Sequence, residues 1–122
     1  MTRIKKEEVR ENRIAMEAVV DAYDEGERAM GWYYYLDDKI KFPFTAHCQN
    51  RRPISPLKVG EEVEVIGMAP EDECQSDMFV WIRYSNDQLA VPLAQLASKS
   101  TDVGTQEAMG DWHYWVAREY EF

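Results

Sequence analysis

Carboxylates crowd two short stretches of this chain, Asp37-Asp38 and Glu71-Asp72-Glu73-Cys74-Gln75-Ser76-Asp77. Ionised carboxylates brought together without a cation repel one another, by ~1 kcal/mol per pair at ~4 Å in bulk water and by more near a protein surface. A hard divalent cation removes that repulsion, and Ca²⁺ takes about six to eight oxygen ligands from side chains, carbonyls and water. The charge is blocky: residues 61–77 hold Glu61, Glu62, Glu64, Glu71, Asp72, Glu73 and Asp77 with no Lys or Arg, whereas residues 39–58 hold Lys39, Lys41, Arg51, Arg52 and Lys58 with no acid. The pattern predicts Ca²⁺ as the cofactor and Asp37, Asp38, Glu71, Asp72, Glu73 and Asp77 as the metal residues. Taken singly, Asp38 caps a strand end and Glu71–Glu73 solvates a loop tip; only their convergence makes a site.

The site is not an EF-hand. Asp21-Ala22-Tyr23-Asp24-Glu25-Gly26 places a glycine sixth, but the third place is Tyr23 and the twelfth, where a bidentate Glu is required, is Trp32. His47, Cys48, Cys74 and His113 are zinc-type ligands without zinc spacing. There is no nucleophile with a local base, no Gly-rich phosphate loop and no His-Glu-x-x-His, so no enzyme is predicted. The aromatic residues, Trp32 to Tyr35, Trp81, Tyr84, Trp112, Tyr114 and Trp115, could instead line a groove for an extended peptide. That gives the competing reading, an SH3-like interaction module with an acidic or aromatic docking face and no metal.

The elements that must position the carboxylates follow from periodicity. Ile14, Ala15, Ala18, Val19, Ala22 and Tyr23 mark a first helix over 13–23, ending near Gly26. Residues 27–36 fit either a short second helix or a strand entry. Residues 38–46 alternate, with Ile40, Phe42 and Phe44 on one parity, which predicts a strand that puts Asp38 in the inward row; Pro43 suggests an edge. A loop, 47–60, precedes a strand over 61–69, and 78–84 with 88–93 form a hairpin about Ser85-Asn86-Asp87. If strands 38–46 and 61–69 are antiparallel neighbours, the start of the first meets the end of the second, and the two acidic clusters become one. A helical turn over 93–97, a linker 98–104 and a helix over 105–122, capped by Thr105, complete the chain.

This element order predicts an α+β fold, a small SH3-like β-barrel flanked by N-terminal and C-terminal helices. One domain is expected over 1–122, with a helical segment at 1–30, the barrel at 31–97, the linker at 98–104 and the last helix at 105–122. The net charge of −9 opposes the phosphate field of nucleic acid, so no nucleic-acid partner is expected. No stretch approaches the ~20 apolar residues of a membrane span, and no apolar run follows the basic residues of the N-terminus. The expected location is the cytoplasm, where Cys48 and Cys74 would be buried free thiols.

Several segments carry a resemblance: Gly31-Trp-Tyr-Tyr-Tyr-Leu-Asp37-Asp38-Lys-Ile-Lys-Phe-Pro-Phe44, Ser55-Pro-Leu-Lys-Val-Gly60, Gly67-Met-Ala-Pro-Glu71-Asp72-Glu73-Cys74, Ala90-Val-Pro-Leu93 and Asp111-Trp-His-Tyr-Trp115. Together they resemble the small bacterial calcium-binding family of the CcbP type. The resemblance covers most of residues 31–122 and implies cytoplasmic calcium binding without an EF-hand, for buffering or signalling. It places Asp37, Asp38, Glu71, Asp72 and Glu73 at the family's acidic motif positions. No particular protein partner is implied.

Overall fold

The computed structural model describes residues 4–122. Residues 1–3, the start of the expected N-terminal segment, lie outside the described residues. Helix α1 (Glu8–Arg13) continues into a π-helical turn, Ile14–Ala18, and α2 (Glu25–Lys39) follows. The strands are β1 (Phe44–Cys48), β2 (Glu62–Met68), β3 (Phe79–Tyr84), β4 (Asp87–Pro92) and β5 (Leu96–Ser98); α3 (Val103–Ala117) closes the order. Single 3₁₀ turns occupy Glu71–Glu73 and Leu93–Gln95. Among the described residues no helix is long and apolar enough to cross a membrane.

The strands form one antiparallel sheet in the order β4-β3-β2-β1-β5. The expected closed SH3-like barrel is not formed, since the ladder stops at β4 on one side and β5 on the other. The fold is α+β, as expected, with an open sheet. The physical reason lies in residues 31–39, expected inside the barrel, which belong to α2. With that segment helical, the first strand starts at Phe44 and only five residues remain for it. Pro43 then precedes β1, which is not an edge, as it lies between β2 and β5.

Local chemistry explains the helices. Asp24 caps α2, its carboxylate accepting from the Glu27 N–H at 2.8 Å. The four aromatics of 32–35 are one turn of α2, and a turn of helix gives them different fates: Trp32 and Tyr35 are buried with Leu36, while Tyr34 faces solvent. Asp102, rather than the expected Thr105, caps α3, accepting from both the N–H (2.9 Å) and hydroxyl (3.0 Å) of Thr105. Thr105 in turn accepts from the Lys41 N–H at 2.9 Å, tying the entrance of α3 to the segment after α2. The β3–β4 hairpin turns on Ser85 and Asn86, both with positive φ (48° and 68°), the mirror-type turn whose twist suits adjoining strands.

The core lies between one sheet face and the helices. Val63, Val65, Val80, Ile82 and Val91 from the sheet pack with Leu36, Leu93, Leu96 and Trp112. Trp32 is the hub of the helical side, in edge contact with Tyr35, Trp112 and Trp115 at centroid distances of 5.7, 5.0 and 5.4 Å. Gly31 allows the closest approach: a Cβ there would stand 2.2 Å from the Ala18 carbonyl oxygen, so α2 presses on the end of the π turn as only glycine permits.

A buried carboxylate fastens the three helices. Asp111 of α3 is fully buried and accepts from Arg13 Nε (2.8 Å) and Nη2 (2.6 Å), Arg10 Nη1 (3.0 Å) and Tyr35 Oη (2.6 Å). Gly110 leaves room for this, because a Cβ there would meet Arg10 Nη1 at 2.6 Å. Asp111→Asn leaves both guanidiniums facing a neutral amide and should lower the unfolding free energy by about 3 kcal/mol, since breaking a buried pair on one side strands the other charge. Urea unfolding measures this; a loss under about 1 kcal/mol would mean that the network does not hold the helices together.

Candidate metal centre

The structure puts Asp37 and Asp38 in the last turn of α2, both exposed, and not in a strand. The inward-row argument for Asp38 therefore fails, because that argument required a period of two where the backbone has a period of 3.6. The helix supplies a different reason to notice these residues. Asp37 and Asp38 follow Tyr34 by three and four positions, so all three share one helix face. They also stand at the negative end of the α2 dipole, where an anion is unfavourable by about 0.3–1 kcal/mol at an exposed site and a cation is favoured.

Across from this face runs the turn after β2. The Tyr34 hydroxyl donates to Glu71 Oε1, and the Tyr33 hydroxyl donates to the Ala69 carbonyl at 2.7 Å. The two phenol rings meet edge-on at 5.6 Å. Burial, chiefly, raises the Tyr33 pKa, with Cys74, Asp37 and Glu71 adding to it; at Tyr34 the hydrogen bond to Glu71 leads and Asp37 contributes. The two acidic stretches thus act on the same pair of phenols.

The turn is held by its own backbone and by Cys74. Glu73 and Cys74 donate their N–H groups to the carbonyls of Pro70 (2.9 Å) and Glu71 (3.0 Å). Cys74 is a buried free thiol, as is Cys48, and its sulfur accepts from the Phe79 N–H at 3.3 Å. Glu71, Asp72 and Glu73 project from this turn into solvent. Among the described residues Asp37, Asp38, Glu71, Asp72 and Glu73 form no ion pair, whereas Glu62, Glu64, Asp102, Glu107 and Asp111 all do.

Asp77 stands apart from this group. It accepts from its neighbour's backbone, Met78 N–H, at 2.8 Å and pairs with Arg52 at 3.7 Å. Burial pushes its pKa up against the pull of the Met78 N–H and Arg52. Those bonds give it a structural task at the entry to β3. Lys39, next to Asp38, is also occupied, by Glu107 and Tyr35.

The fit to an ion is incomplete as the side chains stand: among the described residues no group of three or more His, Cys, Asp or Glu converges closely enough to hold one. What is present is oxygen-only, hard-ligand chemistry on two elements joined by Tyr34 and Glu71, which suits Ca²⁺ and not a soft metal. Sequence reasoning missed Tyr33 and Tyr34 as the connectors. Their spacing to Asp37 and Asp38 was the available signal, legible only once the segment is read as a helix.

The chain is a small acidic α+β domain with an open sheet, and among the described residues its exposed carboxylates at the end of α2 and in the neighbouring turn form no ion pair. Comparison with known proteins gives the family: a family model described as calcium binding, of the CcbP type, matches residues 12–116, and the chain belongs to that family. It is similar to the crystal structure of Anabaena CcbP, with 44% identity, a TM-score of 0.88 and 100% of each chain covered. It is similar, too, to a solved calcium-binding protein in its calcium-binding form, with 43% identity, a TM-score of 0.86 and 100% of each chain covered. Among curated proteins there is no match.

The raised pKa of Asp77 gives a test of its separate role. The folded protein holds that proton more tightly than the unfolded chain, so its contribution to stability is fully present below the ordinary value of 3.8 and is lost as pH rises through the raised folded value. Asp77→Asn keeps the acceptor for Met78 and cannot ionise. The stability difference, variant minus wild type, should therefore climb as pH rises from 3.8 upward, the pull of Arg52 on the ionised form being already part of the net upward shift. A difference that is flat between about pH 4 and 6 would remove Asp77 from this account.

Proposed function

We propose that this protein binds Ca²⁺ in the cytoplasm without catalysing a reaction, as a buffer or a signalling component. The ion would sit between the last turn of α2 and the Glu71–Glu73 turn, held by Asp37, Asp38, Glu71, Asp72 and Glu73. Asp77, kept by Arg52 and Met78, is not among the ligands on this reading. The observation that carries it is the Tyr34–Glu71 hydrogen bond, which joins the turn to the helix face that bears Asp37 and Asp38. Membership of a calcium-binding family supports the choice of ion, and the dipole end of α2 supports the place.

The physical logic is relief of repulsion. Without the ion, the exposed acids are kept apart by their charge, while the 3₁₀ hydrogen bonds shape the turn and Tyr34 holds Glu71 toward the helix face. Ca²⁺, whose coordination is flexible in number and angle, draws the turn onto the helix face; Mg²⁺ demands a tight octahedron and gives up its waters reluctantly. An ion that binds only the folded chain stabilises it by mass action, about 2.7 kcal/mol at a hundredfold excess over the dissociation constant. The melting temperature should rise with Ca²⁺ and much less with equal Mg²⁺, and Asp38→Asn should reduce the Ca²⁺ shift while Glu8→Gln, an exposed acid on α1, leaves it intact. Equal shifts for both ions, or equal losses for both variants, would reduce the site to diffuse surface charge.

Tyr34 supplies a second test. Tyr34→Phe keeps the ring and frees the Glu71 carboxylate, so the ion must order that side chain itself. Calorimetric titration should show Ca²⁺ binding weakened about three- to tenfold, the worth of roughly one hydrogen bond. Unchanged affinity would mean that Glu71 does not reach the ion.

A further inference from the structure

At the N-terminal end of α2, the α1–α2 connection, α3 and the Gln75–Asp77 loop enclose an open cleft of about 1320 Å³. Its floor is apolar, formed by Ala29, Met30, Trp112, Trp115, Val116 and Phe122. Its rim is acidic, with Asp21, Asp24, Glu25, Glu27, Asp77 and Glu121, and among the described residues no Lys, Arg or His belongs to the lining. Asp24 is spent on its helix cap and Asp77 on Arg52, but the other four rim acids form no ion pair among the described residues. The nearby guanidiniums are committed: Arg28 donates to the Phe122 carbonyl, and Arg118 to the Tyr120 hydroxyl and, at 2.6 Å, to the Ile4 carbonyl.

Two further features point to an occupant. Trp112, which lines the cleft, is 2% exposed, and among the described residues its indole N–H has no acceptor. Val20 and Val116 stand at the cleft 50% and 40% exposed, so apolar surface continues outward from the floor. The charge sign rejects nucleic acid and anionic lipid. The apolar floor is surplus to a bare cation, which would use the rim alone. A helix of ~10–12 Å diameter fills 1320 Å³ in roughly two to three turns.

We propose that this cleft docks a cationic amphipathic helix of a partner protein, with its apolar side on Val20, Met30 and Val116 and its Lys or Arg residues against Glu25, Glu27 and Glu121. The cleft is separate from the carboxylates proposed for Ca²⁺, so the two readings stand or fall independently.

The probe is a synthetic Lys/Leu peptide of about 14 residues, written with helical amphipathic spacing and long enough at ~1.5 Å per residue to lie along the cleft. Tryptophan fluorescence and calorimetry on the full chain, with chelator present, should show saturable one-to-one binding. A scrambled peptide of the same composition should bind at least about tenfold more weakly, and a Glu/Leu version should not bind. Glu25→Lys with Glu27→Lys should weaken binding at least about tenfold, whereas Glu8→Lys with Glu61→Lys, the same change in net charge elsewhere, should leave it within about twofold. Should the α2 pair unfold the protein, Glu121→Lys, beyond the helices, should still weaken binding about threefold. Equal binding of the scrambled peptide, equal effects of the two double variants, or no binding at all would overturn the proposal. So would loss of Ca²⁺ binding in Glu25→Lys with Glu27→Lys, since the cleft would then be the ion's site.

Discussion

A carboxylate with no exposure to water sits at the middle of α3, and the arrangement of the helices answers its needs. A buried carboxyl group is costly there without hydrogen-bond donors, and Arg13, Arg10 and Tyr35 bring them to Asp111 from α1 and α2. Satisfying one group therefore fixes the mutual position of three helices. The tryptophan cluster under it, Trp32 with Trp112 and Trp115, supplies apolar area, but packing alone tolerates rotation and sliding. A charge with several defined donors does not. The same demand accounts for Gly110, which clears space for Arg10, and it works alongside Gly31, which lets α2 lie against the Ala18 carbonyl.

Fixing α2 has consequences at both of its ends. Its C-terminal turn is laid beside the Ala69–Cys74 segment, where Tyr33 and Tyr34 reach the Ala69 carbonyl and Glu71. Its N-terminal turn forms one wall of the acidic cleft. The acids at these two places have different neighbours: those near the C-terminal end of α2 stand beside phenols and backbone carbonyls, those at the cleft beside valine, methionine and tryptophan side chains.

Much of the fold was legible in the residues. The β2 and β3 strands, the Ser85-Asn86 hairpin and the helix holding Ala108, Met109, Trp112 and Trp115 follow from local periodicity and turn chemistry. Residues 31–43 were misread, because Ile40, Phe42 and Phe44 alternate in a stretch that leaves a helix at Lys39 and enters a strand at Phe44. An alternation of three residues across such a junction mimics a strand, and the error moved Asp37 and Asp38 onto the wrong element. It also supplied the extra strand on which the barrel depended.

The sequence by itself pointed to calcium, excluded the EF-hand spacing and marked β2 and β3 as strands, because residue type, spacing and a period of two are local quantities; the antiparallel pairing of β1 with β2 entered only as a condition that the structure meets. Only the tertiary structure decided that Asp77 faces Arg52, that Tyr34 joins Glu71 to the α2 face, and that Asp111 binds α1 and α2. Those contacts join residues from 25 positions apart, for Arg52 and Asp77, to 101, for Arg10 and Asp111. They exist because helices of set length are pressed against a sheet by a common core, and no local pattern encodes which polar groups that packing will bring face to face.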